Sequence, residues 1–88
     1  MNESLELTVV IPCLNEADTI GTCVAKAHQA IEQMGIRAEI IVADNGSTDG
    51  SQQLAVNAGA RIIDVPLRGY GAALMRGISA SHSQYVIM

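Results

Sequence analysis

Residues 39–51 read EIIVADNGSTDGS, and the fold turns on how they are read. Ile40, Ile41, Val42 and Ala43 follow one another with no polar break, and an acid, Asp44, comes next. The pair Asn45-Gly46 then makes a turn, and Ser47-Thr48-Asp49 supplies hydroxyls and a second acid. A strand wet on one face alternates apolar and polar residues; an unbroken apolar run of this length marks a strand covered on both faces, as in a parallel sheet. Asp44 closes that strand in one of two ways. It accepts hydrogen bonds from a ligand's ribose or base, or it makes an Asx turn or caps the next helix.

The segments on either side repeat the pattern. Leu5 to Ile11 (LELTVVI) is an apolar, β-rich run stopped by Pro12, and Arg61 to Val65 (RIIDV) is another, halted by Pro66. Gln84 to Met88 (QYVIM) begins a fourth. Between the first two, about Asp18 to Met34 carries Ile20, Cys23, Val24, Ala27, Ala30, Ile31 and Met34 at helical spacing, and Gly35 stands where a helix ends. Ser47 is placed to cap a second helix, with Asp49 in its first turn, which runs to about Ala58 and stops at Gly59. Ala72 to about Ser81 predicts a third helix with Ala73, Leu74, Gly77 and Ile78 on one face. The order β-α-β-α-β-α-β implies parallel strands joined by right-handed crossovers. The expected fold class is α/β: an open, doubly wound sheet with strand order 3-2-1-4 and helices on both faces.

Composition agrees with this and narrows the function. Eighty-eight residues make at most one domain, with no internal repeat or linker, and its core lacks Phe and Trp. Charged residues are 16%, against a usual value of about 25%. A net charge of −4 and five scattered basic residues argue against a nucleic-acid partner. No apolar run approaches the roughly 20 residues of a membrane span, and MNESLE is no signal peptide. Cys13 and Cys23 fall on different elements without metal-ligand spacing and read as reduced thiols.

In open α/β sheets ligands sit outside the carboxyl ends of the strands, near the switch in strand order. Pro12 to Glu16, Asp44 to Asp49 and Leu67 to Gly71 all fall at that edge. A dinucleotide site needs G-x-G-x-x-G after the first strand, where PCLNEAD stands, and there is no P-loop. The later GYGAAL has Leu74 where a third glycine belongs.

IPCLNE, VADNGSTDGS and RGYGAALMRGI, in this order and spacing, resemble glycosyltransferase family 2 over Leu7 to Met88, and within it the dolichyl-phosphate mannosyltransferases and related polyprenyl-phosphate glycosyltransferases. The resemblance implies a Rossmann-like nucleotide-diphospho-sugar transferase fold of type A, of which residues 1–88 form the N-terminal, nucleotide-sugar-binding part. It carries Pro12, Leu14, Asn15 and Glu16 to the base and ribose of a GDP- or UDP-sugar. Asp44, Asn45 and Ser47 go to the same nucleotide, with Asp44 meeting the base. Arg68, Gly69 and Gly71 line it, the glycines letting backbone approach closely. Asp49 serves a helix dipole in this reading, and no residue is assigned a catalytic role.

The implied full enzyme transfers a sugar with inversion to a polyprenyl (dolichyl-type) phosphate at the cytoplasmic face of the membrane. Its Mg²⁺ or Mn²⁺ would be held by an Asp-x-Asp motif beyond Met88, so residues 1–88 alone are expected to hold no metal and to be inactive. Two other readings stay open. One is a sugar-phosphate nucleotidyltransferase, which would want a glycine-rich basic loop where PCLNEAD lies. The other is a non-catalytic nucleotide-binding or assembly module.

Overall fold

The computed structural model describes residues 5–66, 69–81, 83 and 85–87, with Tyr70 known through its backbone. The elements alternate as expected: β1 (Leu7–Cys13), α1 (Ile20–Met34), β2 (Ala38–Asp44), α2 (Ser51–Asn57), β3 (Arg61–Asp64), α3 (Tyr70–Ala80) and β4 (Tyr85–Ile87). All pairings are parallel and the sheet order is β3-β2-β1-β4. The reversal falls between β1 and its two neighbours, which places the switch point above the end of β1.

The unbroken apolar run in β2 is explained by cover on both sides. Ile40 and Val42 face α1 and α2 and join Ile20, Val24, Ile31, Ala55 and Cys13 in one core. Ala43 faces the other way, with Val10 and Val65, against Ala73 of α3. The sheet is therefore the middle of three layers. On α1 the buried stripe is narrower than the spacing suggests: Ile20, Val24 and Ile31 are buried and Ala27 half-buried, while Cys23, Ala30 and Met34 stay exposed. Gly35 ends the helix in the left-handed region (φ 67°), and its N–H donates to the carbonyls of Ile31 and Glu32. Gly59 also takes a positive φ, 107°.

Several boundaries move. Pro12 does not stop β1, which continues to Cys13. The Cys13 carbonyl turns toward β2 and accepts from Asn45 N–H at 2.9 Å. Pro12 stays in register with Ala43 of β2, and the described pairing of β1 with β4 covers Leu7 to Val9. Ser47 does not cap α2, which begins four residues later after Gly50 (φ 89°); Asp49 thus precedes the helix and is outside its first turn. α3 begins at Tyr70, two residues before Ala72, and Ile78 on its supposed inner face is 36% exposed. Gly77 is where α3 meets the sheet, since a Cβ there would overlap Cγ1 of Val10. No described helix is long and apolar enough to cross a membrane.

Candidate functional site

Three strand ends meet at the carboxyl edge. After β1 the chain turns through Asn15, a non-glycine residue at φ 52°, a conformation asparagine tolerates better than most. That turn is laced to the loop after β2 and to the start of α2. Asn15 N–H donates to Ser47 Oγ at 2.8 Å, and Asn15 Oδ1 accepts from Thr48 N–H at 2.8 Å. Glu16 N–H donates to Ser51 Oγ at 2.9 Å, and Ala17 N–H to Asp49 Oδ2 at 3.0 Å. The loop after β2 is tied in turn to the end of β3: Asn45 Nδ2 donates to the Val65 carbonyl at 3.1 Å, and Val65 N–H to the Asp44 carbonyl at 2.8 Å.

Asp44 is the centre of this arrangement. Its residue is 1% exposed, and its carboxylate accepts from Gly46 N–H (3.0 Å), Ser47 N–H (2.8 Å), Ser47 Oγ (2.6 Å) and Gln52 Nε2 (2.9 Å). Of the two roles open to a strand-end acid, the Asx turn is the one seen. Burial pushes the Asp44 carboxyl up, but the Ser47 hydroxyl and the Ser47 and Gly46 N–H groups outweigh it, so the acid lies below its ordinary range. Asp49 is also lowered, chiefly by the Ser51 hydroxyl. The Cys13 thiol moves up instead, because burial dominates over its contacts with Ser47 and Ser51. A raised thiol is a poor nucleophile, in keeping with a structural cysteine. Both cysteines are free.

Above this lattice lies an open cleft of about 240 Å³ lined by Pro12, Cys13, Leu14, Glu16, Asn45 and Gly69. Five of the ten residues expected at a nucleotide thus share one surface. Asn15, Asp44 and Ser47 stand apart from the lining and hold its loops in place. Gly71 lies in the first turn of α3, outside the lining, and Arg68 lies outside the described residues. Sequence reading passed over Gln52, which bonds both Asp44 and the Ser47 carbonyl, and Ser51, which bridges Glu16 and Asp49. The Asp-x-Ser spacing of Asp49 and Ser51 was the available signal for a local Asx-type contact. Among the described residues no group of three or more His, Cys, Asp or Glu can hold a metal ion. Asp44 in particular faces N–H and O–H donors, an environment that suits no cation.

An open parallel α/β sheet with a cleft at its switch point defines a class of ligand-binding folds. The chain belongs to Glycosyl transferase family 2, whose profile matches residues 8–88. It is 39% identical to the glucosyl-3-phosphoglycerate synthase of Mycolicibacterium paratuberculosis over 92% of this chain and 26% of that protein. It is 37% identical to the low-salt glycan biosynthesis hexosyltransferase Agl6 of Haloferax volcanii over 93% of this chain and 20% of that one. The crystal structure of mannosyl-3-phosphoglycerate synthase from Rubrobacter xylanophilus superposes with a TM-score of 0.84 at 28% identity, covering 93% of this chain and 29% of the other. That of Mycobacterium tuberculosis glucosyl-3-phosphoglycerate synthase with Mn²⁺, UDP and phosphoglyceric acid gives 0.79 at 34% identity, covering 93% and 31%. The chain spans about a quarter of the length of these relatives. The resemblance thus holds at family level and for the type A fold. The relatives named here are phosphoglycerate synthases and a glycan hexosyltransferase, which leaves the dolichyl-phosphate branch without support from them.

Proposed function

We propose that residues 1–88 hold the nucleotide of a nucleoside-diphosphate sugar for a family 2 glycosyl transfer. The observation that carries this reading is the meeting of Pro12, Leu14, Glu16, Asn45 and Gly69 around one cleft at the switch point. The base and ribose lie against Pro12, Leu14 and Asn45, with Glu16 and the Gly69 backbone at the rim. Asn15, Asp44 and Ser47 act one layer behind by fixing the loops, and Gly71, in the first turn of α3, stands toward the diphosphate. UDP is the favoured nucleotide, because solved relatives at 32–34% identity carry UDP or UDP-glucose with Mn²⁺. The described residues supply no ligand set of three or more His, Cys, Asp or Glu for that ion.

For the acceptor, the names of the relatives favour phosphoglycerate over the polyprenyl phosphate that the motifs suggest. Polyprenyl phosphate, with a membrane-facing enzyme, is the second reading; the resemblance carried by IPCLNE, VADNGSTDGS and RGYGAALMRGI is what favours it. For the polyprenyl phosphate acceptor the motif resemblance implies direct attack on the anomeric carbon with inversion; for either acceptor, alignment of donor and acceptor carries much of the catalysis. Titrating UDP and GDP into the protein while following backbone amide resonances tests the cleft. Saturable shifts confined to Cys13–Glu16, Asn45 and Gly69 are expected, larger for UDP. No shift at millimolar nucleotide, or shifts centred elsewhere, would overturn the reading. Incubation with UDP-glucose and each acceptor then separates a water-soluble glucosylated product from a lipid-extractable one.

A further inference from the structure

α3 joins the two ends of the sheet. Gly69, immediately before its first residue, lines the cleft, and Ala80, its last, reaches the opposite edge. At 1.5 Å per residue, eleven residues separate these ends by about 16 Å. In between, the helix meets the sheet through Ala73 and Gly77, with Ala72 and Leu74 half-buried against the same cluster, while Met75 is 65% exposed. Leu74 is the one large side chain in this contact and it is only half-buried, so the groups at the two ends of α3 share in setting its position along the sheet.

The far end is held by polar groups. Thr8 and Glu39 are register partners on β1 and β2, and Arg61 opens β3 opposite Ile41, two residues on from Glu39 and on the same face of the sheet. Arg61 Nε and Nη2 donate to the two Glu39 carboxylate oxygens at 3.2 and 3.3 Å, and Arg61 Nη2 also donates to the Ala80 carbonyl at 3.0 Å. Glu39 Oε2 accepts from Thr8 Oγ1 at 3.3 Å, and Thr8 Oγ1 lies 2.7 Å from Ser83 Oγ. A last-turn carbonyl is an orphan acceptor at the negative end of the helix dipole, which a guanidinium suits. The planar fork lets one side chain serve the carboxylate and the carbonyl together.

We infer that Arg61 is a positioning residue for the cleft: it clamps the carboxyl end of α3 to the sheet through Glu39 and so fixes where the other end places Gly69. The helix geometry stands by itself; its consequence for ligand affinity rests on the nucleotide reading above. Arg61→Met keeps the aliphatic stem and removes every donor. Ala73 N–H, which bonds the Gly69 carbonyl at 3.1 Å, reports the cleft end of the helix.

In Arg61→Met its hydrogen exchange is expected to accelerate about three- to five-fold, the range an exposed ion pair can give, with Ile41 and Val42 amides unchanged. UDP affinity should fall by a similar factor. Unchanged exchange at Ala73, or acceleration shared equally by all amides, would overturn the inference, as would an unaltered UDP affinity beside a loosened Ala73. If Ala73 responds as expected but the unsubstituted protein binds no UDP, the clamp stands and the nucleotide reading falls.

Discussion

The two edges of this sheet are both built from polar side chains, yet they are built differently. At the carboxyl edge Asp44 is nearly inaccessible, and its four hydrogen bonds run to loop N–H groups, a hydroxyl and an amide. At the amino edge Arg61 and Glu39 form an ion pair whose side chains are 46% and 19% exposed. A buried, saturated carboxylate loses its desolvation compensation if one donor set is removed, whereas an exposed pair exchanges its partners for water. The loops at the first edge are therefore held rigidly enough to present a preformed cleft. The second edge is a clamp that adjusts a helix at small cost in stability.

The difference is broken most severely at Asp44. Asp44→Asn replaces an oxygen with an amide that must face existing donors, and it is expected to lower stability by about 3 kcal/mol in chemical denaturation. The pH dependence gives an independent check. Because the folded acid lies below its ordinary value of 3.8, its stabilisation is fully present above that value and is lost as pH falls through the folded value. The unsubstituted protein should therefore lose stability progressively below about pH 4, and Asp44→Asn should flatten part of that slope. A variant as stable as the parent, with the same acid slope, would mean the Asp44 lattice is not what holds the loops.

Gly77 tests whether α3 mechanically joins the edges. Adding a methyl in Gly77→Ala drives Cβ into Val10, an overpacking expected to cost about 1–3 kcal/mol even though alanine favours helix. Hydrogen exchange should quicken at both Ala73 and Ser81, whose N–H bonds the Ile78 carbonyl, because the whole helix lifts. A response at one end alone would show that the edges are not linked through this helix.

The sheet was legible because its signal is local. The run Ile40 to Ala43 announces two-sided cover, and Gly35 and Gly59 mark helix ends through a backbone conformation that other residues resist. The meeting of the three loops was legible from topology, since parallel strands bring their carboxyl ends to one side. What holds the loops together was not. Asn15 and Thr48 are 33 residues apart, and they meet because β1 and β2 pair with Cys13 opposite Asp44, a register that no local pattern states. Ser47 misled for the same reason: its hydroxyl is a fair helix cap in isolation, but Asp44 and Asn15 compete for it and win. Pro12 misled because its fixed φ is compatible with extended backbone, and its register with Ala43 carries the pairing on to Cys13.

The smallest expected effect sharpens the contrast most. In a double-mutant cycle of Arg61→Ala and Glu39→Ala, the coupling should be no more than about 1 kcal/mol and should shrink as salt is raised, because the pair is wet on one side. The corresponding cycle of Asp44→Ala and Ser47→Ala should give a larger coupling that salt hardly changes, since both residues are buried and the bond between them excludes water. Equal couplings with equal salt dependence would remove the distinction between a rigid edge and an adjustable one. A salt-insensitive Arg61–Glu39 coupling would do more, because it would make the amino edge a second fixed anchor. The position of Gly69 in the cleft would then be set by two rigid ends of the sheet, leaving α3 no freedom for the clamp to restrain.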